Sequence, residues 1–174
     1  YNLDQDDSRY VGGKAANLGE MIEAKFPVPP GFAITLVAYH DFLSKNGFDK
    51  KIERLITTIN FDSDDSLNQV SREIKKIMRS GKISERLTDE IFRHYERLGR
   101  NAYVAIRSSA VGEDSKEASY AGQNETFLDI RGEAVLADKI RDAWASLFSP
   151  RSIFYRHERR RSNARESIGL IVQK

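Results

Sequence analysis

Residues 102–110 read Ala-Tyr-Val-Ala-Ile-Arg-Ser-Ser-Ala, and residues 118–130 read Ala-Ser-Tyr-Ala-Gly-Gln-Asn-Glu-Thr-Phe-Leu-Asp-Ile. In the first stretch, Ala102 to Ile106 is an apolar run rich in strand formers, and it delivers Arg107, Ser108 and Ser109 at its end. The second is a tight, small-residue turn at Ser119 to Asn124 that opens into an alternating strand from Glu125 to Ile130. A polar loop from Val111 to Ala118 separates them. Two strands flanking a glycine-bearing turn predict a hairpin or flap, and therefore a sheet.

Helices surround this sheet. Gly12-Gly13 precede Ala15, Leu18, Met21 and Ile22, whose helical spacing predicts a helix from near Lys14 to about Lys25. Phe26 to Phe32 contains three prolines and should be extended. Phe32 to Ile34 reads as a short buried strand, and Thr35 as the N-cap of a helix carrying Tyr39, Phe42 and Leu43 that Gly47 closes. Ile52, Leu55, Ile56 and Ile59 form the next stripe, and Asp62 to Ser66 reads as a polar turn. Leu67, Val70, Ile74, Ile77 and Met78 form another stripe, ending at Gly81. Ser84 should cap a third helix with Leu87, Ile91, Tyr95 and Leu98 inward and Gly99 as its stop. Past the hairpin, Val135, Leu136, Ile140, Ala143, Trp144, Leu147 and Phe148 predict an amphipathic helix ending before Pro150. Ile168 to Val172 reads as a buried strand. The expectation is an α/β (α+β) domain over 1–174, with a helical insertion at about 48–99.

Composition narrows the chemistry. The 174 residues are 40% hydrophobic and 31% charged, an ordinary soluble balance, with a formal net charge of +2. Neither nucleic acid nor membrane binding has a global electrostatic basis, and the basic run His157 to Arg161 reads as a solvated helix face. Cysteine is absent, which excludes disulfides, thiolate metal sites and cysteine nucleophiles and fits a cytoplasmic protein. No apolar run reaches the ~20 residues that span a bilayer. The opening Tyr-Asn-Leu-Asp-Gln-Asp-Asp lacks the features of a signal peptide. The missing initiator Met and the apolar run at the end lead to the expectation of a fragment at both ends. His40, His94 and His157 each fall in a predicted helix and show no zinc-binding spacing. No Gly-x-Ser-x-Gly elbow occurs.

What remains points to phosphate. Lys14 stands at a helix start behind two glycines, where backbone N–H groups, the helix dipole and a movable cation meet. Arg107 offers planar paired donors suited to phosphate oxygens. Ala121 and Gly122 are small enough for backbone N–H groups to touch phosphate, and Gln123, Asn124 and Thr126 add neutral donors. Each feature has a plainer reading. Gly-Gly before a helix makes an ordinary turn, Arg107 can pair with Glu113 or Asp114, and Gly122 can close a simple hairpin. It is the conjunction that favours polyphosphate.

Four motifs in order carry a specific resemblance. They are Val-Gly-Gly-Lys-Ala-Ala-Asn-Leu-Gly-Glu-Met at 11–21, Val-Pro-Pro-Gly-Phe at 28–32, Ala-Ile-Arg-Ser-Ser-Ala at 105–110, and Ala-Ser-Tyr-Ala-Gly-Gln-Asn-Glu-Thr-Phe-Leu at 118–128. Together they resemble the N-terminal nucleotide-binding domain of the phosphoenolpyruvate synthase family, whose wider group includes pyruvate phosphate dikinase and rifampicin phosphotransferase. Residues 145–156, Ala-Ser-Leu-Phe-Ser-Pro-Arg-Ser-Ile-Phe-Tyr-Arg, resemble it as well. Asn124 departs mildly, standing where the synthases usually have Gln.

The resemblance implies an ATP-grasp fold whose two lobes clasp ATP and Mg2+. It implies that Lys14 and Arg107 contact the phosphates and stabilise charge during transfer. Gly122, Gln123, Asn124, Glu125 and Thr126 would form the phosphate-covering loop. Val172, Gln173 and Lys174 would approach the hinge that meets adenine. The magnesium ligands, the phosphohistidine domain and the pyruvate-binding barrel would lie in the rest of a longer parent chain. The implied activity is transfer from ATP to a histidine and then to pyruvate, giving phosphoenolpyruvate, AMP and phosphate. The alternatives are a rifamycin antibiotic as acceptor, or a nucleotide-binding remnant without catalysis.

Overall fold

The computed structural model describes residues 7–110, 125–159 and 167–174. In chain order their elements are α1 (Ser8–Val11), α2 (Gly13–Glu23), β1 (Gly31–Ile34), α3 (Leu36–Lys45), α4 (Phe48–Thr57), α5 (Asp64–Ser80), α6 (Glu85–Leu98), β2 (Val104–Ala110), β3 (Thr126–Ile130), α7 (Glu133–Ser146), α8 (Pro150–Glu158) and β4 (Ile168–Gln173). The four strands form one antiparallel sheet in the order β1-β4-β2-β3.

The strand latest in sequence is therefore a central one. Ile171 of β4 pairs with Ala33 on one side and with Arg107 on the other. All six residues of β4 are buried because both faces of the sheet are covered at this point. Alternation sends Ile168, Leu170 and Val172 to the main core with the helical body. It sends Ile171 to a small second cluster with Val11 and Ala15, against which Leu18 and Ala33 pack. The apolar run read from the sequence as a buried strand is this one.

The helices follow their apolar stripes. α5 buries Leu67, Val70, Ile74, Ile77 and Met78, while α6 buries Ile91 and Tyr95. Trp144 of α7, fully buried, packs against Phe42 at 4.7 Å and Tyr39 at 6.1 Å between ring centroids. Thr35 caps α3 as predicted, its Oγ1 accepting a hydrogen bond from the Ala38 amide at 3.3 Å. Ser149 does the same for α8, with Pro150 in the first turn. The turn joining α7 to α8 is tied down twice. Ser71 Oγ donates to the Phe148 carbonyl at 2.7 Å, and the buried Arg156 donates from Nη2 to the Leu147 carbonyl at 2.7 Å.

Five local expectations change. α5 starts at Asp64, inside the stretch read as a turn, because Ser63 Oγ accepts from the Ser66 amide at 3.3 Å and two aspartates suit the first turn. Ser84 occupies the N-cap position of α6, but its hydroxyl donates to Asp41 Oδ2 at 3.3 Å and makes no capping bond. The polar opening contains the short α1, which the sequence reading treats as turn. β1 is an edge strand with only Ile34 buried. Finally, β2 starts at Val104 and continues through Ser108 and Ser109, so Arg107 lies inside the strand and not at its end. Among the described residues, no helix is long and apolar enough to cross a membrane.

Candidate functional site

The Gly-Gly-Lys motif and the Arg-Ser-Ser motif meet on one face of the sheet. α2 begins at Gly13 behind Gly12, a residue with φ +80° and no side chain to cap the helix. The cap comes instead from β2. Ser109 Oγ accepts a hydrogen bond from the Ala15 amide at 3.2 Å, and both residues are fully buried. Gly12 lies directly against the strand, since a Cβ there would come 2.2 Å from the Ser109 carbonyl oxygen. Ser109 pairs across the sheet with Gly169, where a Cβ would come 2.5 Å from the Val11 carbonyl oxygen. The junction between α1 and α2 thus sits in a notch that two glycines keep open.

Arg107 shares that face. Residues alternate along β2, so Arg107 and Ser109 point the same way, while Ile106 and Val104 enter the main core. Arg107 is exposed, and its partner across the hairpin is Thr126 of β3. Among the described residues no carboxylate forms an ion pair with Arg107. Glu113 and Asp114, the alternative partners, lie outside the described residues. Lys14, one residue before Ala15, is half-buried at the start of α2. Lys14 and Arg107 thus stand on two elements that meet at Ser109, with Thr126 beside Arg107 in the register.

The remaining candidates are distributed less tightly. Glu125 is exposed and its carboxylate faces Lys75 of α5 at 3.8 Å. Val172 is fully buried, with its side chain in the main core. Gln173 donates from Nε2 to the Pro29 carbonyl at 3.3 Å. Lys174 donates from Nζ to the Leu98 carbonyl at the end of α6, at 3.2 Å, and its amide donates to the Pro30 carbonyl. Gly122, Gln123 and Asn124 lie outside the described residues.

The histidines have local partners. His40 is 2.7 Å from Ser167 Oγ, His94 packs on Phe32, and His157 stacks on Phe61 with centroids 3.5 Å apart. Sequence reasoning gave Ser109 no task. Its contact is with a residue 94 positions away, and the available signal was a serine at a strand position where an apolar residue would normally pack.

The sequence is similar to those of known proteins. Residues 8–174 match the family described as pyruvate phosphate dikinase, AMP/ATP-binding domain. The chain is 42% identical over 176 residues to a protein of Methanothermobacter thermautotrophicus named probable phosphoenolpyruvate synthase, covering 98% of this chain and 26% of that protein. The protein of the same name from Archaeoglobus fulgidus is 40% identical, with 99% and 24% covered. The phosphoenolpyruvate synthase of Helicobacter pylori is 38% identical, with 99% and 22% covered. The chain spans about a quarter of the length of these relatives. With its four-stranded antiparallel sheet and a match that runs from α1 to β4, the chain belongs to the pyruvate phosphate dikinase AMP/ATP-binding domain family.

Proposed function

We propose that this chain is the ATP-binding part of a phosphoenolpyruvate synthase-like phosphotransferase with an ATP-grasp arrangement, 48–99 being its helical insertion. The observation that carries the reading is the junction at Ser109, where the start of α2 with Lys14 is seated on the strand that bears Arg107. Two cation-bearing motifs far apart in sequence therefore serve one face. Phosphoryl transfer demands mainly positioning and neutralisation of charge, which a lysine at a helix start and an arginine fork supply.

In this reading Lys14 and Arg107 contact the phosphates of ATP. Gly122 to Thr126 covers them, with Thr126 already opposite Arg107. Val172, Gln173 and Lys174 approach the hinge that meets adenine. Among the described residues no group of three His, Cys, Asp or Glu side chains could hold a metal ion. Mg2+ ligands are assigned, on the family resemblance, to the rest of the parent. None of the three histidines, each engaged locally, is assigned as phosphate acceptor.

The parent would pass phosphate from ATP to a histidine in another domain and then to pyruvate, yielding phosphoenolpyruvate, AMP and phosphate. ATP and pyruvate as substrates suit the cytoplasm. The test is an assay of the full-length parent with ATP, magnesium and pyruvate. Formation of phosphoenolpyruvate with AMP supports the reading, and failure to form either overturns it.

A further inference from the structure

We propose that Ser109 is a positioning residue for phosphate transfer, fixing Lys14 relative to Arg107 through the hydrogen bond from Ala15. The inference rests on the phosphate-binding roles proposed above for those two cations.

A helix leaves its first N–H groups without intrahelical partners, and a local Ser, Thr, Asp or Asn usually accepts one of them. α2 has glycine at that place, so it has no side chain to do so. Ser109 Oγ takes over from a different element, at 3.2 Å from the Ala15 nitrogen. Burial of both residues keeps water from replacing the serine. Lys14 is the residue immediately before Ala15. Arg107 lies two positions from Ser109 on the same strand face, roughly 7 Å along the strand. One hydroxyl therefore links the helix start that carries one cation to the strand that carries the other.

The close contact of Gly12 with Ser109 and of Gly169 with Val11 limits sliding of α2 across the sheet. It does not fix rotation of the helix start, which the hydrogen bond does. Losing that bond should let Lys14 drift by a fraction of an ångström to an ångström. Displacements of that size in a positioned group can cost about a hundredfold in rate. The neighbouring Ser108 is a natural control. It is equally buried, yet its hydroxyl points to the other face of the sheet and has no hydrogen-bond partner among the described residues.

The experiment uses the full-length parent and steady-state kinetics with ATP varied. Lys14→Ala and Arg107→Ala come first, because full turnover in both would remove the reading on which Ser109 depends. With those losses established, Ser109→Ala should lower kcat at least about tenfold, and Ser108→Ala should leave it unchanged. In the Lys14→Ala background, the same Ser109→Ala change should cost less than about twofold, because there is no lysine left to misplace. Losses that multiply in the double variant would make Ser109 a structural residue only and overturn the proposal. Unchanged kcat in Ser109→Ala would overturn it too. Should Ser109→Ala fail to fold, the same cycle run with Ser109→Cys, which keeps the volume and weakens the acceptor, gives the decision.

Discussion

Gly12 is pressed so closely against Ser109 that a methyl group on Gly12 would lie 2.2 Å from the Ser109 carbonyl oxygen and 2.5 Å from its hydroxyl. Gly12 also adopts φ +80°, whereas Gly47 with φ +65° has nothing within 4 Å of a would-be Cβ. Gly12→Ala should therefore lose about 3 kcal/mol or more of stability, from backbone strain and clash together. Gly47→Ala should lose only about 1 kcal/mol, from strain alone. Denaturant unfolding of both variants checks the pair. Equal losses would show that β2 moves away freely from the helix start.

Arg107 is exposed and makes no ion pair among the described residues, so its removal should leave folding intact. In the full-length parent, Arg107→Ala should raise the barrier to turnover by about 2–4 kcal/mol. Arg107→Lys should recover only part of this, since an ammonium cannot bind phosphate oxygens in pairs. Normal turnover in a folded Arg107→Ala parent would remove Arg107 from the phosphate site.

Arg156 and Ser71 hold consecutive carbonyls, those of Leu147 and Phe148, at the turn between α7 and α8. Arg156→Met keeps much of the volume but leaves a buried carbonyl without its charged donor, and should cost about 3 kcal/mol. Ser71→Ala removes a neutral donor and should cost about 1–2 kcal/mol. Thermal and denaturant midpoints would reveal the order. A larger loss for Ser71→Ala would contradict it.

Asp142 of α7 accepts from Lys139 Nζ at 2.9 Å and Arg79 Nε at 2.7 Å. Burial alone would raise its pKa, but the hydrogen bonds and charges of Lys139 and Arg79 outweigh it and hold the carboxyl below its usual 3.8. A depressed folded-state value means that this contribution is present above the unfolded pKa and lost as pH falls through the folded one. Arg79 and Lys139 are well exposed, so the contribution should stay below about 1 kcal/mol. Asp142→Asn should thus be less stable than the parent sequence near pH 7, and the gap should shrink as pH falls below 3.8. A gap that persists in acid would point to packing and not to charge.

Asp129 sits in β3 with φ +55°, at a bulge where Leu128 and Asp129 face the single Ala105 of β2. Aspartate tolerates this conformation better than most residues, and glycine better still. Asp129→Gly should be neutral or stabilising by about 0.5–1 kcal/mol, while Asp129→Val should cost about 1–2 kcal/mol. A stabilising Asp129→Val would mean that β3 can shed its bulge.

Much of this could be read from one dimension because the signals are local. Helical stripes in α5 and α6, the Thr35 cap and the apolar run of β4 all depend on neighbours a few residues away. The start of α5 is illegible locally because Asp62 to Ser66 has the composition of a turn, although Ser63 and the aspartates are equally the composition of a helix start. The sequence pattern puts Arg107 at a strand end because Ser108 and Ser109 lack apolar side chains. They continue the strand because Leu170 and Gly169 of β4 pair with them, and the small Gly12 and Ala15 of the α2 start fit against Ser109. The candidate site shows the same division. Lys14 and Arg107 stood out by residue type, but the hydroxyl that joins their elements depends on a tertiary contact that no local pattern encodes.

β4 pairs with β1 on one side and β2 on the other, although it is the last of the described strands in sequence. During synthesis from the N-terminus, β1 and β2 have no shared partner until residues 168–173 have been made. Helices α3 to α6 can form from local contacts in the meantime, but Ile34 and Ile106 wait without the strand that covers their flanks. Pairing of these four strands is then a late, long-range event, of the kind that slows folding. The wait leaves open strand edges in the nascent chain, and those edges are where misassembly would begin.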